Sequence, residues 1–263
     1  MINCVSNLAW KPEEKNEAIN ILKKYKIKYL EFAPNLLLKN RNFSECKKVK
    51  MKWMQEKLIL YSMQSILFNI NDAYIFGTKR QFNIFYKSIL KIIKLAKKLG
   101  VKIIIFGSPL SRKTFGKNKK LLDNTFIKTF KNLSLHCKKN DVTICIEPNP
   151  KIYKSEYLNN MSETVRVVKK IKKQNIKINF DLGASIANRE SLKSVFLKNI
   201  NLIGHCQISV PRLKNLNKYK KKINFFKKIL KKSKYNGVIS MEVLAQSKKN
   251  IKNLEKNIKI LND

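Results

Sequence analysis

Eight short apolar runs, each followed by a longer lysine-rich amphipathic segment, limit what this 263-residue chain can fold into. The runs are INCVSNLA (2–9), IKYLEFA (27–33), KLILYSM (57–63), VKIIIFG (101–107), VTICIEP (142–148), IKINFDL (176–182), LIGHCQIS (202–209) and GVISMEV (237–243). Runs this short and this rich in Ile and Val suit parallel strands buried on both faces. The intervening segments, such as FNIFYKSILKIIKLAKKLG and MSETVRVVKKIKK, repeat apolar residues at three- and four-residue spacing with Lys on the other face, the pattern of amphipathic helices. Ser162, just before Glu163 and a helical run, is the expected N-cap of one of them. Gly100 is the expected stop before the fourth strand.

Eight strand–helix units in a chain of this length point to a single α/β domain over residues 1–263, a closed (β/α)8 barrel of the TIM type. An open, doubly wound eight-stranded sheet is the alternative. It would be expected to carry a nucleotide fingerprint, yet no GxGxxG follows the first run and no GxxxxGK[ST] occurs anywhere.

Composition bears on partners. Lys and Arg number 57 against 17 Asp and Glu, a formal net charge of +40, which invites a nucleic-acid reading. Only six of these residues are Arg (41, 80, 112, 166, 189 and 212), and the lysines are spread over the whole chain. A base reader clusters its cations and uses the guanidinium fork, so the expectation is a solvated Lys-rich exterior with no specific nucleic-acid partner. The five cysteines (4, 46, 137, 145 and 206) form no CxxC pair and read as small buried hydrophobes of a reducing compartment. No secretory pattern opens the chain, and no apolar run approaches the roughly 18 residues that span a bilayer. The expectation is a cytoplasmic protein with no membrane partner; nothing excludes a homo-oligomer.

The chemistry sits where the runs end. Strands five, six and eight finish on Glu147, Asp181 and Glu242, and strand seven offers Gln207. In a barrel these ends share the active rim. An acid in an apolar strand is costly without a positive partner, and three converging acids repel one another. A divalent cation relieves both, and oxygen ligands suit Mg2+ or Mn2+, so Glu147, Asp181, Gln207 and Glu242 form a candidate metal set. A single such acid would more simply face water or pair with Lys.

The segments IEPNP, NFDLGA, GHCQISVPRL and YNGVISMEV, in that order, resemble the xylose isomerase-like TIM-barrel superfamily of sugar-phosphate isomerases and epimerases. SNLAW (6–10) and FGSPLSR (106–112) resemble its first- and fourth-strand segments. The resemblance covers nearly the whole chain. It implies an isomerase or epimerase acting on a small sugar, sugar phosphate or hydroxy-carbonyl acid, with Glu147 and Glu242 as metal ligands and acid–base groups. It makes Asp181 a further ligand and Arg212 a contact to substrate oxygens. Gln207 falls where ketose epimerases place a His and where hydroxypyruvate isomerase has a Gln. Ala184 departs from the His that many members carry three residues after the strand-six Asp.

Other residues are less determined by sequence. Ser108, Arg112 and Lys113 follow strand four and could hold an anionic substrate group or form a solvated loop. Tyr61, Ser62 and Gln64 end strand three and are candidates for the pocket wall. Glu31 is a rim or paired structural Glu; His205 reads as a buried, hydrogen-bonded His, and His136 as structural. Two other readings share the fold: an endonuclease IV-like repair enzyme, disfavoured because the chain has two His, and a degenerate barrel that binds without catalysis.

Overall fold

A computed structural model describes residues 4–38, 41–246 and 249–262. Eight parallel strands close into a barrel in sequence order: β1 (Cys4–Ser6), β2 (Tyr29–Phe32), β3 (Ile59–Met63), β4 (Ile103–Phe106), β5 (Thr143–Ile146), β6 (Ile176–Asp181), β7 (Ile203–Ile208) and β8 (Ile239–Met241). β1 pairs with β8 through Cys4–Ser240 and Val5–Met241, which seals the ring. Each strand falls inside one of the eight apolar runs.

Alternation along the strands sorts their side chains. Ile104, Phe106, Ile144, Ile146, Ile178, Phe180, Cys206 and Ile208 belong to the main apolar core under the helices. The residues between them face the barrel axis. Ile103, Ile105 and Cys145 form a small separate apolar cluster there, with Tyr61 against it.

The main helices are α1 (Lys15–Lys24), α2 (Pro34–Leu37), α3 (Cys46–Gln55), α4 (Lys79–Leu99), α5 (Lys119–Asn140), α6 (Met161–Ile171), α7 (Leu182–Ala187), α8 (Leu192–Asn199), α9 (Lys220–Lys232) and α10 (Asn250–Asn262). α4 shows why they lie where they do. Phe85, Ile89, Ile92, Ile93, Ala96 and Leu99 recur on one face and are buried. Each large side chain so removed from water contributes roughly 1.5–3 kcal/mol before entropy is counted. Thr78 and Gln81 form a capping box at its start, and Gly100 ends it at φ 76°, in the left-handed region that favours glycine. α6 begins two residues earlier than its sequence signal suggested. Asn160, not Ser162, is the N-cap, and its side-chain oxygen accepts from the Glu163 N–H. Ser162 lies inside the first turn.

All five cysteines are buried and free. Among the described residues, no helix is long and apolar enough to cross a membrane.

Candidate functional site

At the C-terminal ends of the strands a cavity of about 310 Å³ opens on the barrel axis. Glu147, Asp181 and Glu242 all line it, with Gln64, Asn149 and Tyr153. Ile105, Pro109, Leu110, Leu213 and Phe68 make its apolar wall. No Lys, Arg or His is among the described lining residues, although the chain carries 57 Lys and Arg. The strands place the three acids by parity: Glu147 follows Cys145, Asp181 follows Asn179, and Glu242 follows Ser240, each two residues on along an inward-facing row.

Each carboxylate is held. Glu147 accepts from Asn149 Nδ2 at 2.9 Å and from Asn179 Nδ2 at 3.0 Å. Asp181 accepts from Ser209 Oγ at 2.6 Å and from the Ala184 N–H, so it also caps α7. Gly183 makes this approach possible, because a Cβ there would stand 2.3 Å from Ser209 Oγ and 2.9 Å from the Val210 backbone. Glu242 takes a hydrogen bond from Gln64, which also donates to Ser6.

These bonds do not offset the cost of gathering three acids away from water. Burial, and then the charge of Asp181, push the Glu147 carboxyl up to about 8 against the lowering pull of Arg112. Burial raises Asp181 to about 6 despite its Ser209 and Ala184 donors. Burial, then Glu147 and Asp181, hold Glu242 well above the ordinary carboxylate range. Tyr153, on the same wall, is pushed up to about 12, by burial first.

Beneath them lies a satisfied layer. Glu31 is fully buried and accepts from Ser62 Oγ at 2.7 Å, Gln207 Nε2 at 2.8 Å and Ser240 Oγ at 3.0 Å. His205 Nε2 stands 3.0 Å from its other side. Burial alone would raise the Glu31 carboxyl; His205, Ser62 and Gln207 together bring it below its usual range. Glu31 therefore does not face the rim. His205 is a buried, bonded histidine, as expected, and Tyr61 packs 6.2 Å from its ring. Ser62 belongs to this layer too and does not line the cavity.

Gln207 bridges the two layers: its amide nitrogen donates to Glu31 and its oxygen accepts from Asn179. It is wholly buried and lies behind Glu147 and Asp181.

The rim residues divide. Ser108 lines the cavity at φ 42°, and Gln64 lines it from β3. Arg212 is exposed on the loop after β7, with φ 63°; its N–H donates to Tyr153 Oη at 2.8 Å, and its neighbour Leu213 forms the wall. Arg112 is not a substrate contact. It is fully buried, its guanidinium donates to the carbonyls of Phe106 (2.7 Å) and Glu147 (2.8 Å), and it lies 4.9 Å from the Phe106 ring. Burial lowers it to about 10. It pins the end of β5 instead of reaching the cavity. Lys113 is exposed over Phe115, and His136 is exposed on α5.

Sequence reasoning missed Asn149, Asn179 and Tyr153. The two Asn were visible in principle: each stands two residues from a rim acid, so parity puts it on the same face.

The donor set fits a hard divalent cation. Three carboxylates share one cavity, each holds its proton unusually tightly, and no Lys, Arg or His stands among its described lining residues. Among the described residues, no three His, Cys, Asp or Glu side chains already stand close enough to hold an ion. Glu147, Asp181 and Glu242 would have to draw together, and Gln207 could join only by exchanging its Asn179 bond.

A family model described as a xylose isomerase-like TIM barrel matches residues 7–263. No curated protein matches the sequence. Among solved structures, the 3-keto-D-glucoside 4-epimerase YcjR from E. coli in its apo form aligns with a TM-score of 0.82 at 15% identity, over 100% of this chain and 99% of its own. D-psicose 3-epimerase, solved in the presence of D-fructose, aligns at 0.80 and 14% identity over the whole of both chains. An AP endonuclease of family 2 from Brucella melitensis aligns at 0.76 and 16% identity, over 95% of this chain and 96% of that one. At these identities the likeness is one of fold.

Proposed function

This chain belongs to the xylose isomerase-like TIM-barrel family, and on that premise we propose that it is a metal-dependent isomerase or epimerase of a small hydroxy-carbonyl compound, a sugar or a sugar-like acid. The observation that carries this reading is the pair Glu147 and Glu242. They end β5 and β8, three strands apart around the ring, line one cavity, and both hold a proton far above the ordinary carboxylate range. General acid–base groups work best when their proton affinity lies near the working pH.

A substrate seated between them presents opposite faces to the two carboxylates. One removes the proton from the carbon beside the carbonyl, and the other returns a proton from its own side. Proton return to the other face of the same carbon inverts it, and return to the neighbouring carbon isomerises the substrate. Asn149 and Asn179 hold Glu147 at both of its oxygens, so its orientation is set before substrate arrives. Gln64 does the same for Glu242, and Ser209 for Asp181. Glu147, Asp181 and Glu242, with Gln207 as a reserve donor, would hold Mn2+ or Mg2+, which supplies positive charge where the enediolate develops negative charge. Tyr153 and Ser108 stand on the wall for substrate hydroxyls. Arg212 reaches substrate oxygens only by swinging in from the loop after β7.

A DNA-repair reading is less well supported, even with a repair enzyme among the structural neighbours. His205 is committed to Glu31, His136 is exposed on α5, and the described cavity wall carries no cation for phosphates.

The test is a panel of ketoses and hydroxy-keto acids incubated with Mn2+ in deuterated water, read for exchange at the carbon beside the carbonyl. Exchange is expected with at least one compound. It should fall roughly 100-fold in Glu147→Gln and in Glu242→Gln, the scale of a lost general base, while substrate affinity changes far less. A variant that keeps the ion and near-normal exchange would remove that Glu from the mechanism. No exchange across the panel, with substrate-like binding retained, would favour a non-catalytic barrel.

A further inference from the structure

A second cavity, of about 360 Å³, opens away from the carboxylate pocket, where the segment after β1 meets α1, α2 and α3. Both tryptophans of the chain, Trp10 and Trp53, form part of its wall, together with Leu36, Leu37 and Val49. Facing this apolar side are Lys15, Lys48 and Lys52. The α3 residues that line it, at 45, 48, 49, 52 and 53, follow three- and four-residue spacing, so one stripe of that helix faces the cavity.

Lys15 differs from the solvated lysines elsewhere on the surface, and the exposed Lys48 and Lys52 stand beside it on the wall of the same cavity. Lys48 and Lys52 are four residues apart on one helix, a like-charge pair that weakens it. Lys15 is half-buried; its ammonium lies 4.5 Å from the centre of the Trp53 ring and within hydrogen-bonding reach of Lys52. Burial and Lys52 together lower the Lys15 ammonium below its usual range. Glu56, the acid that acts on Lys15, is already bonded to Lys23 at 2.7 Å. Glu45 contributes the negative charge among the lining residues, leaving three ammonium groups against one carboxylate. Ammonium groups gathered around one cavity repel one another, and an anion seated among them reverses the sign of that energy.

We propose that this cavity is a binding site for a small organic anion: a phosphate-bearing compound with an apolar, ring-sized body, the phosphate among Lys15, Lys48 and Lys52 and the body against Trp10, Leu36 and Val49. The volume suits one or two rings with a phosphate.

Because Trp10 and Trp53 are the chain's only tryptophans and both wall this cavity, intrinsic fluorescence excited selectively at tryptophan reports on it. Phenyl phosphate should change that fluorescence saturably, inorganic phosphate should bind more weakly, and uncharged phenol should bind hardly at all. The double variant Lys15→Gln/Lys52→Gln should weaken phenyl phosphate binding at least about tenfold, on the scale of one or two charge-assisted hydrogen bonds. Without ligand it should melt no lower than the parent, since a repulsion has been removed. Lys138→Gln/Lys231→Gln, exposed and far in sequence, removes the same net charge and controls for the field of the +40 chain. No saturable change, equal weakening in the control variant, or inorganic phosphate binding as tightly as phenyl phosphate would each overturn the proposal.

Discussion

Between pH 5 and pH 8, ion-free Glu147→Gln should gain roughly 2 kcal/mol of stability relative to wild type. The folded chain holds the Glu147 proton up to about pH 8, where an ordinary Glu side chain loses it near 4.5. For an acid raised in this way the folded state binds more protons than the unfolded state between those two values. Stability therefore falls as pH climbs through that window and is flat above it. A rise from 4.5 to about 8 corresponds to roughly 5 kcal/mol at the upper plateau. Part of the Glu147 side chain touches the water of the cavity, which screens the effect, so about 2–3 kcal/mol is the working figure. At pH 5 the same group costs less than about 1 kcal/mol.

Gln carries no such penalty, but it has one acceptor oxygen for the two Asn donors, so one N–H loses its partner at a cost of about 1–2 kcal/mol that does not vary with pH. Subtracting the variant's stability at pH 5 from that at pH 8, relative to wild type, cancels this fixed cost and leaves roughly 2 kcal/mol. In a domain of this size that is about 4–8 °C of melting temperature. The assay is thermal or urea unfolding of chelator-treated protein at both pH values. Added Mn2+ should reverse the ranking, because the ion stabilises the carboxylate and not the amide. A pH-independent difference from wild type, or one that moves against the variant as pH rises, would refute the claim that Glu147 is an electrostatically strained acid.

Four further outcomes are expected. Asp181→Ala should lose bound Mn2+ in metal analysis, against about one ion per wild-type chain; full retention would dissolve the proposed ligand set. Arg112→Met should cost about 2–4 kcal/mol in urea unfolding, because the carbonyls of Phe106 and Glu147 lose a buried charged donor, and Arg112→Lys should recover only part of it. Gly183→Ala should destabilise the rim by more than about 1 kcal/mol, since its Cβ would meet the Val210 backbone at 2.9 Å; a neutral result would mean that the β6–β7 loops give way freely. Abasic duplex DNA should not be incised near physiological salt with Mn2+ or Zn2+ present.

The sequence carried the fold because buried parallel strands leave a signal nothing else in this chain imitates: short Ile- and Val-rich runs at regular intervals, eight times. It also carried the convergence of Glu147, Asp181 and Glu242 on one cavity, since the strand ends of a closed barrel share one rim. It failed where side-chain direction mattered. Arg112 looked like an anion contact in a rim loop, yet it turns inward and spends its donors on main-chain carbonyls. Nothing in FGSPLSR distinguishes those two uses. Tyr153 comes from a loop with no periodicity and meets the cavity only because the chain after β5 folds back over it. Asn160 displaced Ser162 as a cap because both residue types cap well and only backbone geometry decides between them.

The charge of the chain bears on the site by exclusion. Glu31, Glu147, Asp181 and Glu242 sit inside a barrel whose helices present lysine to water, yet no lysine reaches them. The strands admit only inward-facing side chains to the axis, and beside the acids those positions hold Asn179, Gln207, Ser62, Ser240 and His205 over a small apolar cluster. The Arg112 guanidinium lies nearby, but carbonyl oxygens hold it behind Glu147. Glu31 is the acid that this polar interior does satisfy, and its proton affinity falls below the ordinary range as a result. The other three are left with a rise. What neutralises them has to enter the cavity, and a proton or a metal ion can do so. The two exclude each other on any one oxygen. An ion held by Glu147, Asp181 and Glu242, as proposed, would lower the proton affinity of all three. The raised proton affinity of the three acids is thus the starting point that such a cation would pull down toward the working pH of an acid–base pair.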